Sequence, residues 1–214
     1  MEKLPVFQRP FRFTYYNAAF VIIGVNVGVH LLMSVVPGLI NRMALIPALI
    51  VVENWVWTPF TYMFVHGGMW HLLFNMLGLF FFGVQLERRI GSHEFLLFYL
   101  LSGTLAGLLS FLVYVATGTY NIALIGASGA VFAVLLAFAT YFPTATILLF
   151  GFIPVRAPIL VIGYAGLEMF NMVSRTRGNV AHMTHLLGFA VAFVYLVVRL
   201  RINPITVFRQ SSRY

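Results

Sequence analysis

The sequence predicts an all-α membrane protein of six transmembrane helices, and three observations carry that prediction. Of the 214 residues, 61% are hydrophobic and only 8% are charged, where a soluble domain carries roughly 25%. Mean hydropathy is +0.96. The apolar residues gather into long runs separated by short basic segments, the pattern of a polytopic chain.

Composition also excludes chemistry. There is no cysteine, so no disulfide, thiol nucleophile or cysteine-ligated metal can form. There is no aspartate and there are five glutamates, which removes aspartyl catalysis. The formal charge of +8 does not point to nucleic acid, because the basic residues sit in short loops and tails, where orienting charges belong.

Taken in order, residues 1–16 form a cytoplasmic N-terminal segment carrying Lys3, Arg9 and Arg12. No small-residue cleavage site follows, so the first apolar run is expected to be a retained anchor and not a signal peptide. The six spans run over residues 17–36, 68–86, 94–116, 127–142, 157–174 and 179–199, and residues 200–214 form a basic cytoplasmic tail suited to anionic lipid. The long connection 37–67 holds "MALIPALIVV", too short to span, and then "ENWVWTPFTYMFVHGG", whose aromatics suit a segment lying in the membrane interface. No repeat or separate soluble domain is present. With the N-terminus inside, ten Lys and Arg fall on the cytoplasmic side and three (Arg42, Arg175, Arg177) outside, which favours both termini in the cytoplasm.

Polar groups within the spans are costly and mark function or helix contacts. Here His71 and Asn75 begin span two, Ser128 begins span four, and His182 and His185 lie early in span six. Even-numbered spans run the same way, so these groups share one depth below the outer surface. His71 and Asn75, and Ser128 and Phe132, are i, i+4 pairs. Gly129 and Ala133 on span four, and Gly188 and Ala192 on span six, form small-residue stripes that allow close helix approach. Packing them together brings Ser128 Oγ to the His185 imidazole. A neutral histidine activates a serine, and no carboxylate is evident beside the pair, so the expected machinery is a Ser–His dyad. Backbone N–H groups at the start of span four, with His71 and Asn75, could hold an oxyanion; one such donor lowers a barrier by about 3–4 kcal/mol.

These motifs resemble those of the rhomboid intramembrane serine proteases. "GASG" at 126–129 fits the family's GxSG, "HGGMWHLLFN" at 66–75 its HxxxxHxxxN, "THLLGFAVA" at 184–192 its HxxGxxxG-type motif with alanine at the last small position, and "ERRIGS" at 87–92 the polar end of the second helix. The resemblance covers about residues 53–195. It implies a rhomboid-like six-helix bundle over 17–199 with an interfacial loop between helices one and two. It implies Ser128 as nucleophile, His185 as general base, and His71, Asn75 and the Ser128 N–H as oxyanion hole. Gly126 and Gly129 would give the close backbone geometry, Phe132 would pack on the imidazole, and Phe74 would line a substrate gate between spans two and five. His182 is the alternative base, but taking it as the start of the motif puts His185 where a glycine belongs; Gly188 selects His185. The family's Trp-Arg in the loop is replaced by Trp57-Thr58, which removes a guanidinium tie.

The implied function is an endopeptidase cutting transmembrane segments of single-span or polytopic membrane proteins near their extracytoplasmic end, with the lipid bilayer as its other partner and no cofactor. The alternative is a non-catalytic rhomboid-like protein that binds membrane helices. A zinc site from His71, His182 and His185 is conceivable from the HxxH spacing, but HExxH is absent and no metal is expected. Glu168, near the outer end of span five, is the one carboxylate that could approach the site. Without an acid on the imidazole, kcat should not exceed about 10 s⁻¹. Compactness and the absence of a long N-terminal targeting segment point to the plasma membrane of a prokaryote. Glu87 with Arg89 is expected to form a structural polar network near the cytoplasmic face.

Overall fold

A computed structural model describes residues 5, 8–174 and 179–211; Lys3, Arg175, Arg177 and Arg213 of the charge count lie outside the described residues. The first apolar run folds as helix α1 (Ala18–Val35). The connection after it holds three short helices, α2 (Leu39–Met43), α3 (Pro47–Glu53) and α4 (Thr58–Thr61), then a 3₁₀ turn at Tyr62–Phe64. The second long helix is α5 (Met69–Gly78), a π-helical turn (Leu79–Gly83) and α6 (Val84–Ile90) in continuous succession. There follow α7 (Ser92–Ala116), α8 (Ser128–Tyr141), a hairpin of β1 (Thr146–Leu149) and β2 (Ile153–Arg156), α9 (Ala157–Val173), α10 (Asn179–Val198) and α11 (Pro204–Ser211).

Four of these helices are long and apolar enough to cross a membrane: Ala18–Val35, Met69–Ile90, Ser92–Ala116 and Ala181–Val198. The other two expected spans are shorter apolar helices, α8 with 14 residues and α9 with 17. At 1.5 Å per residue α8 is about 21 Å long, less than the roughly 30 Å of a hydrocarbon core. Four helices therefore meet the length of a full crossing, and α8 and α9 fall short of it.

α8 is the centre of the bundle. Its residues Ala133, Val134, Ala137 and Ala139 are all but inaccessible, and α7, α9 and α10 pack around it. Small residues permit this. A Cβ on Gly188 of α10 would collide with the carbonyl of Gly129 on α8, and a Cβ on Gly78 would lie 2.6 Å from Val131 Cγ1. At Gly188 backbone meets backbone, and at Gly78 the Val131 side chain fills the space a Cβ would take.

Buried carboxylates join the rest. α1 has no side-chain cap of its own. Its first free N–H groups are taken by Glu87: Ala18 N donates to Oε1 (2.6 Å) and Ala19 N to Oε2 (2.9 Å), an anion at a helix N-terminus. Ser92 Oγ donates to the same carboxylate. The expected polar network is thus present around Glu87, but among the described residues Arg89 takes no hydrogen bond or ion pair in it. Residues two apart on a helix point different ways, and the Arg89 guanidinium lies over the Tyr141 ring instead. At the far end of α10, Arg199 makes a forked contact to Glu94 (2.6 and 2.7 Å), which Tyr195 also hydrogen-bonds.

The connection 37–67 is fastened without the missing arginine. Trp57 Nε1 donates to the Arg42 carbonyl (2.9 Å) and Thr61 Oγ1 to the Met43 carbonyl (2.8 Å). Leu45 and Leu124 exchange both backbone hydrogen bonds, and Tyr62 Oη reaches the Gly103 carbonyl (2.8 Å). Two elements were not anticipated. The β1–β2 hairpin pairs Thr146 with Arg156 through Leu149 with Ile153, turning where Phe150 and Gly151 take positive φ. Within the tail, α11 is capped by Asn203 Oδ1, which accepts from Ile205 N (3.0 Å), and its Ser211 carbonyl accepts from Arg156 Nη1 (3.2 Å).

Candidate active site

Ser128 is the first residue of α8, and the loop leading to it is rigidly set. Gly126 adopts φ +116, and a Cβ there would sit 2.6 Å from His71 Nε2, so only glycine fits both the backbone and the space. Gly126 N donates to the Tyr62 carbonyl (3.0 Å). Val131 N takes the Ala127 carbonyl (3.0 Å), so the N–H groups of Ser128, Gly129 and Ala130 precede the first intrahelical bond. These are the donors a helix start leaves for an anion.

α10 supplies an imidazole. His185 Nε2 lies 2.7 Å from Ser128 Oγ. The imidazole stacks on Phe132, centroids 4.2 Å apart and planes within 7°; Tyr164 and Phe189 meet that phenyl edge-on. One residue before the histidine, buried Thr184 bonds Ser110 of α7 (2.8 Å). Ring plane, ring position and helix spacing are therefore each fixed by a different contact. Of the two histidines of α10, it is His185 that contacts Ser128, while His182 contacts a different group.

His182 faces Glu168. Its Nδ1 hydrogen-bonds Glu168 Oε2, and the second carboxylate oxygen, Oε1, lies 3.0 Å from His185 Nδ1. The latter is an ion-pair distance, though the His185 Nδ1 site is not aligned for a regular hydrogen bond. Glu168 is 6% exposed. This corrects the expectation that no carboxylate stands beside the imidazole. α9 packs directly on α10 and carries the acid to the level of His182 and His185, a proximity that sequence spacing across two helices does not display.

The proposed oxyanion side chains lie on α5. His71 reaches the Ser128 loop, with Nε2 against Gly126 and its ring edge-on to His66 at 5.0 Å. Asn75 is buried and turns Nδ2 back to the His71 carbonyl (2.8 Å). Phe74 is 67% exposed and stacks with Trp70, on the outward face of α5. Among the described residues, the donor atoms of Glu168, His182 and His185 come within 4.8 Å of one another, so a divalent ion would find ligands there. His71 is not part of that set, and the two imidazoles already share the carboxylate. A cavity of about 600 Å³ lies away from this chemistry, in a groove between α7 and α10 walled by Leu101, Leu105 and Val194.

The rhomboid-domain family model matches residues 53–202, a range that contains Ser128, His185, His71, Asn75 and Glu168. RHOMBOID-like protein 12, mitochondrial, of Arabidopsis thaliana is 34% identical over 151 residues, covering 64% of this chain and 44% of that protein. RHOMBOID-like protein 1 of the same plant is 33% identical over 159 residues, covering 72% and 38%. Rhomboid protein 1, mitochondrial, of Saccharomyces cerevisiae is 42% identical over 91 residues, covering 42% and 26%. A Bacillus subtilis relative is 37% identical over 76 residues, 36% of each chain. The matched stretch spans less than half the length of each of these relatives. With its apolar helices of spanning length, the chain is a membrane protein.

Proposed function

Because the chain belongs to the rhomboid family, we propose that it is an intramembrane serine endopeptidase that cleaves transmembrane segments of other membrane proteins near their extracytoplasmic end. The observation that carries this reading is the 2.7 Å contact between Ser128 Oγ and His185 Nε2, with the ring clamped on Phe132.

The chemistry follows from those atoms. With the proton of the neutral ring on Nδ1, Nε2 accepts the Ser128 proton as Oγ attacks the scissile carbonyl carbon. The carbonyl oxygen becomes an oxyanion met by the Ser128 backbone N–H, with His71 and Asn75 as side-chain donors. His185 then returns the proton to the leaving amine, which frees the acyl-enzyme. A water, deprotonated by the same nitrogen, hydrolyses the ester and restores Ser128.

Several features support a membrane-embedded substrate. α8 is too short to fill the hydrocarbon core, so a start below the outer surface leaves an aqueous approach to Ser128 from that side. Phe74 and Trp70 present exposed rings on α5, the face a substrate helix would cross between α5 and α9. A substrate must unwind locally to offer a peptide bond, so helix-breaking residues at the cut should help. The charge count favours both termini inside, and we assign the protein to the plasma membrane of a prokaryote as a six-span enzyme. The mitochondrial names belong to the plant and yeast relatives; cell fractionation tests this chain's compartment.

The test is cleavage of a panel of single-span substrates in liposomes, with the cut mapped by mass spectrometry. Loss of cleavage in Ser128→Ala and His185→Ala is the expected result. Cleavage surviving in Ser128→Ala would sink the reading. An intact wild-type protein that neither cleaves nor labels with a phosphonate would favour the helix-binding alternative.

A further inference from the structure

The proposed mechanism leaves three buried or half-buried titratable groups with work unassigned: Glu168, His182 and the Nδ1 atom of His185. They are in contact with one another. Glu168 reaches His182 Nδ1 through Oε2 and His185 Nδ1 through Oε1 at 3.0 Å. On the opposite side of the same ring, His185 Nε2 reaches Ser128 Oγ at 2.7 Å. Carboxylate, imidazole and hydroxyl therefore stand in series across one ring.

The series has a chemical reading. A histidine can take a proton at Nε2 only if Nδ1 holds the other one, and a carboxylate facing Nδ1 selects that tautomer. When Nε2 is protonated in the transition state, the ring's positive charge lies 3.0 Å from a buried anion. A carboxylate at 6% exposure in an apolar helix is retained at a cost, which its contacts must offset. His182 fixes the other oxygen, so the carboxylate cannot rotate away from His185. The off-line approach to Nδ1 in the substrate-free protein is common for catalytic hydrogen bonds, which tighten when the transition state forms.

Resting on the endopeptidase reading, we propose that Glu168 is a positioning residue for His185, that the working unit is Ser128–His185–Glu168 and not a dyad, and that His182 is the clamp holding the Glu168 carboxylate in place. Glu168 stays ionised throughout. The proton moves only between Ser128 Oγ, His185 Nε2 and the leaving amine.

The experiment compares wild type, Glu168→Gln, Glu168→Asp and His182→Ala in liposomes containing EDTA, with Ser128→Ala as blank. It reads kcat and KM for one single-span substrate, the rate of phosphonate labelling of Ser128, and thermal stability. Glu168→Gln should lower kcat and labelling rate by about 10²-fold, within the range that acid–base groups contribute, with KM unchanged. Glu168→Asp keeps the charge and should recover part of the loss. His182→Ala should fall between wild type and Glu168→Gln. If Glu168→Gln does not fold, the Glu168→Asp and His182→Ala rates decide, and wild-type values for both overturn the proposal. Wild-type kcat in Glu168→Gln, or a loss confined to KM, also overturns it while leaving the protease reading intact. A wild-type protein that neither cleaves nor labels removes both.

Discussion

Gly188 rests directly on the carbonyl group of Gly129: a Cβ at residue 188 would occupy the space of that oxygen, with the Gly129 Cα only 3.3 Å away. The obstacle is backbone, which cannot swing aside as a side chain can. Gly188→Ala must therefore push α10 off α8, at a cost of about 1–3 kcal/mol, and pull His185 from Ser128. We expect a lower melting temperature in detergent and cleavage reduced by more than the stability loss explains. Gly163→Ala on α9 is the control, because nothing lies within 4 Å of its added methyl; it should leave both unchanged.

Phe132 holds the plane of the His185 ring from one face. Phe132→Ala removes that support and the aromatic face that favours a cationic imidazole, an effect of about 0.5–2 kcal/mol. This corresponds to a fall in kcat of roughly 2- to 30-fold. Phe132→Tyr keeps the ring and should keep most activity. Steady-state cleavage of a fluorescent membrane substrate measures both.

Glu87 is the N-terminal cap of α1 although it lies 69 residues away in sequence. Glu87→Gln keeps one acceptor oxygen and loses the charge, so one buried N–H of the pair Ala18 and Ala19 loses its partner. Destabilisation of about 1–3 kcal/mol is expected, with no effect on the chemistry of the protein that remains folded. Thermal unfolding in detergent, read beside phosphonate labelling, separates the two.

His66 lies in the loop before α5. Burial, aided by the neighbouring His71, pushes its pKa down to about 4. An unfolded chain takes up the proton near pH 6.5, so between these values the unfolded state binds more protons than the folded one. Stability from the neutral ring is therefore present above about pH 6.5 and is lost as pH falls towards 4. Melting temperature should decline over this window in wild type. His66→Gln, which does not titrate, should show a shallower decline.

The contact of Ser128 with His185 and the helix contact beside it were legible in sequence because each rests on a local pattern. "GASG" marks the start of α8, the spacing from His185 to Gly188 places that imidazole, and Phe132 stands one turn from Ser128. Glu168 was not legible as a partner, since its contacts cross from α9 to α10 and no periodicity spans two helices. The signal that could have raised it was its rarity: it is an acid near the outer end of an apolar run, in a chain with no aspartate. The network around Glu87 was legible, but its members were not, because Ala18, Ala19 and Ser92 reach it from other elements while Arg89, two residues on, points another way. The hairpin was missed because "TILLFGFIPVR" is too short to span and its alternation is weak, although the Phe150-Gly151 turn between apolar tetrads was a fair marker. The length of α8 was nearly legible, since the apolar run 127–142 became the helix Ser128–Tyr141.

The buried carboxylates also set an order in time. A ribosome delivers this chain from its N-terminus, and Glu94 leaves it 105 residues before Arg199. Until α10 is made, that carboxylate waits without the guanidinium that neutralises it in the finished bundle. Glu87 meets the already synthesised start of α1 at once, and Glu168 waits only 14 residues for His182. The first helices can therefore lock together during synthesis, while α7 and α9 both hold unpaired acids for the last long helix. Arrival of α10 completes two joints in one step, and with the same movement brings His185 to Ser128. Nascent chains stopped before residue 179 would lack His185 and the partners of two glutamates, so Ser128 has no imidazole beside it until α10 is made.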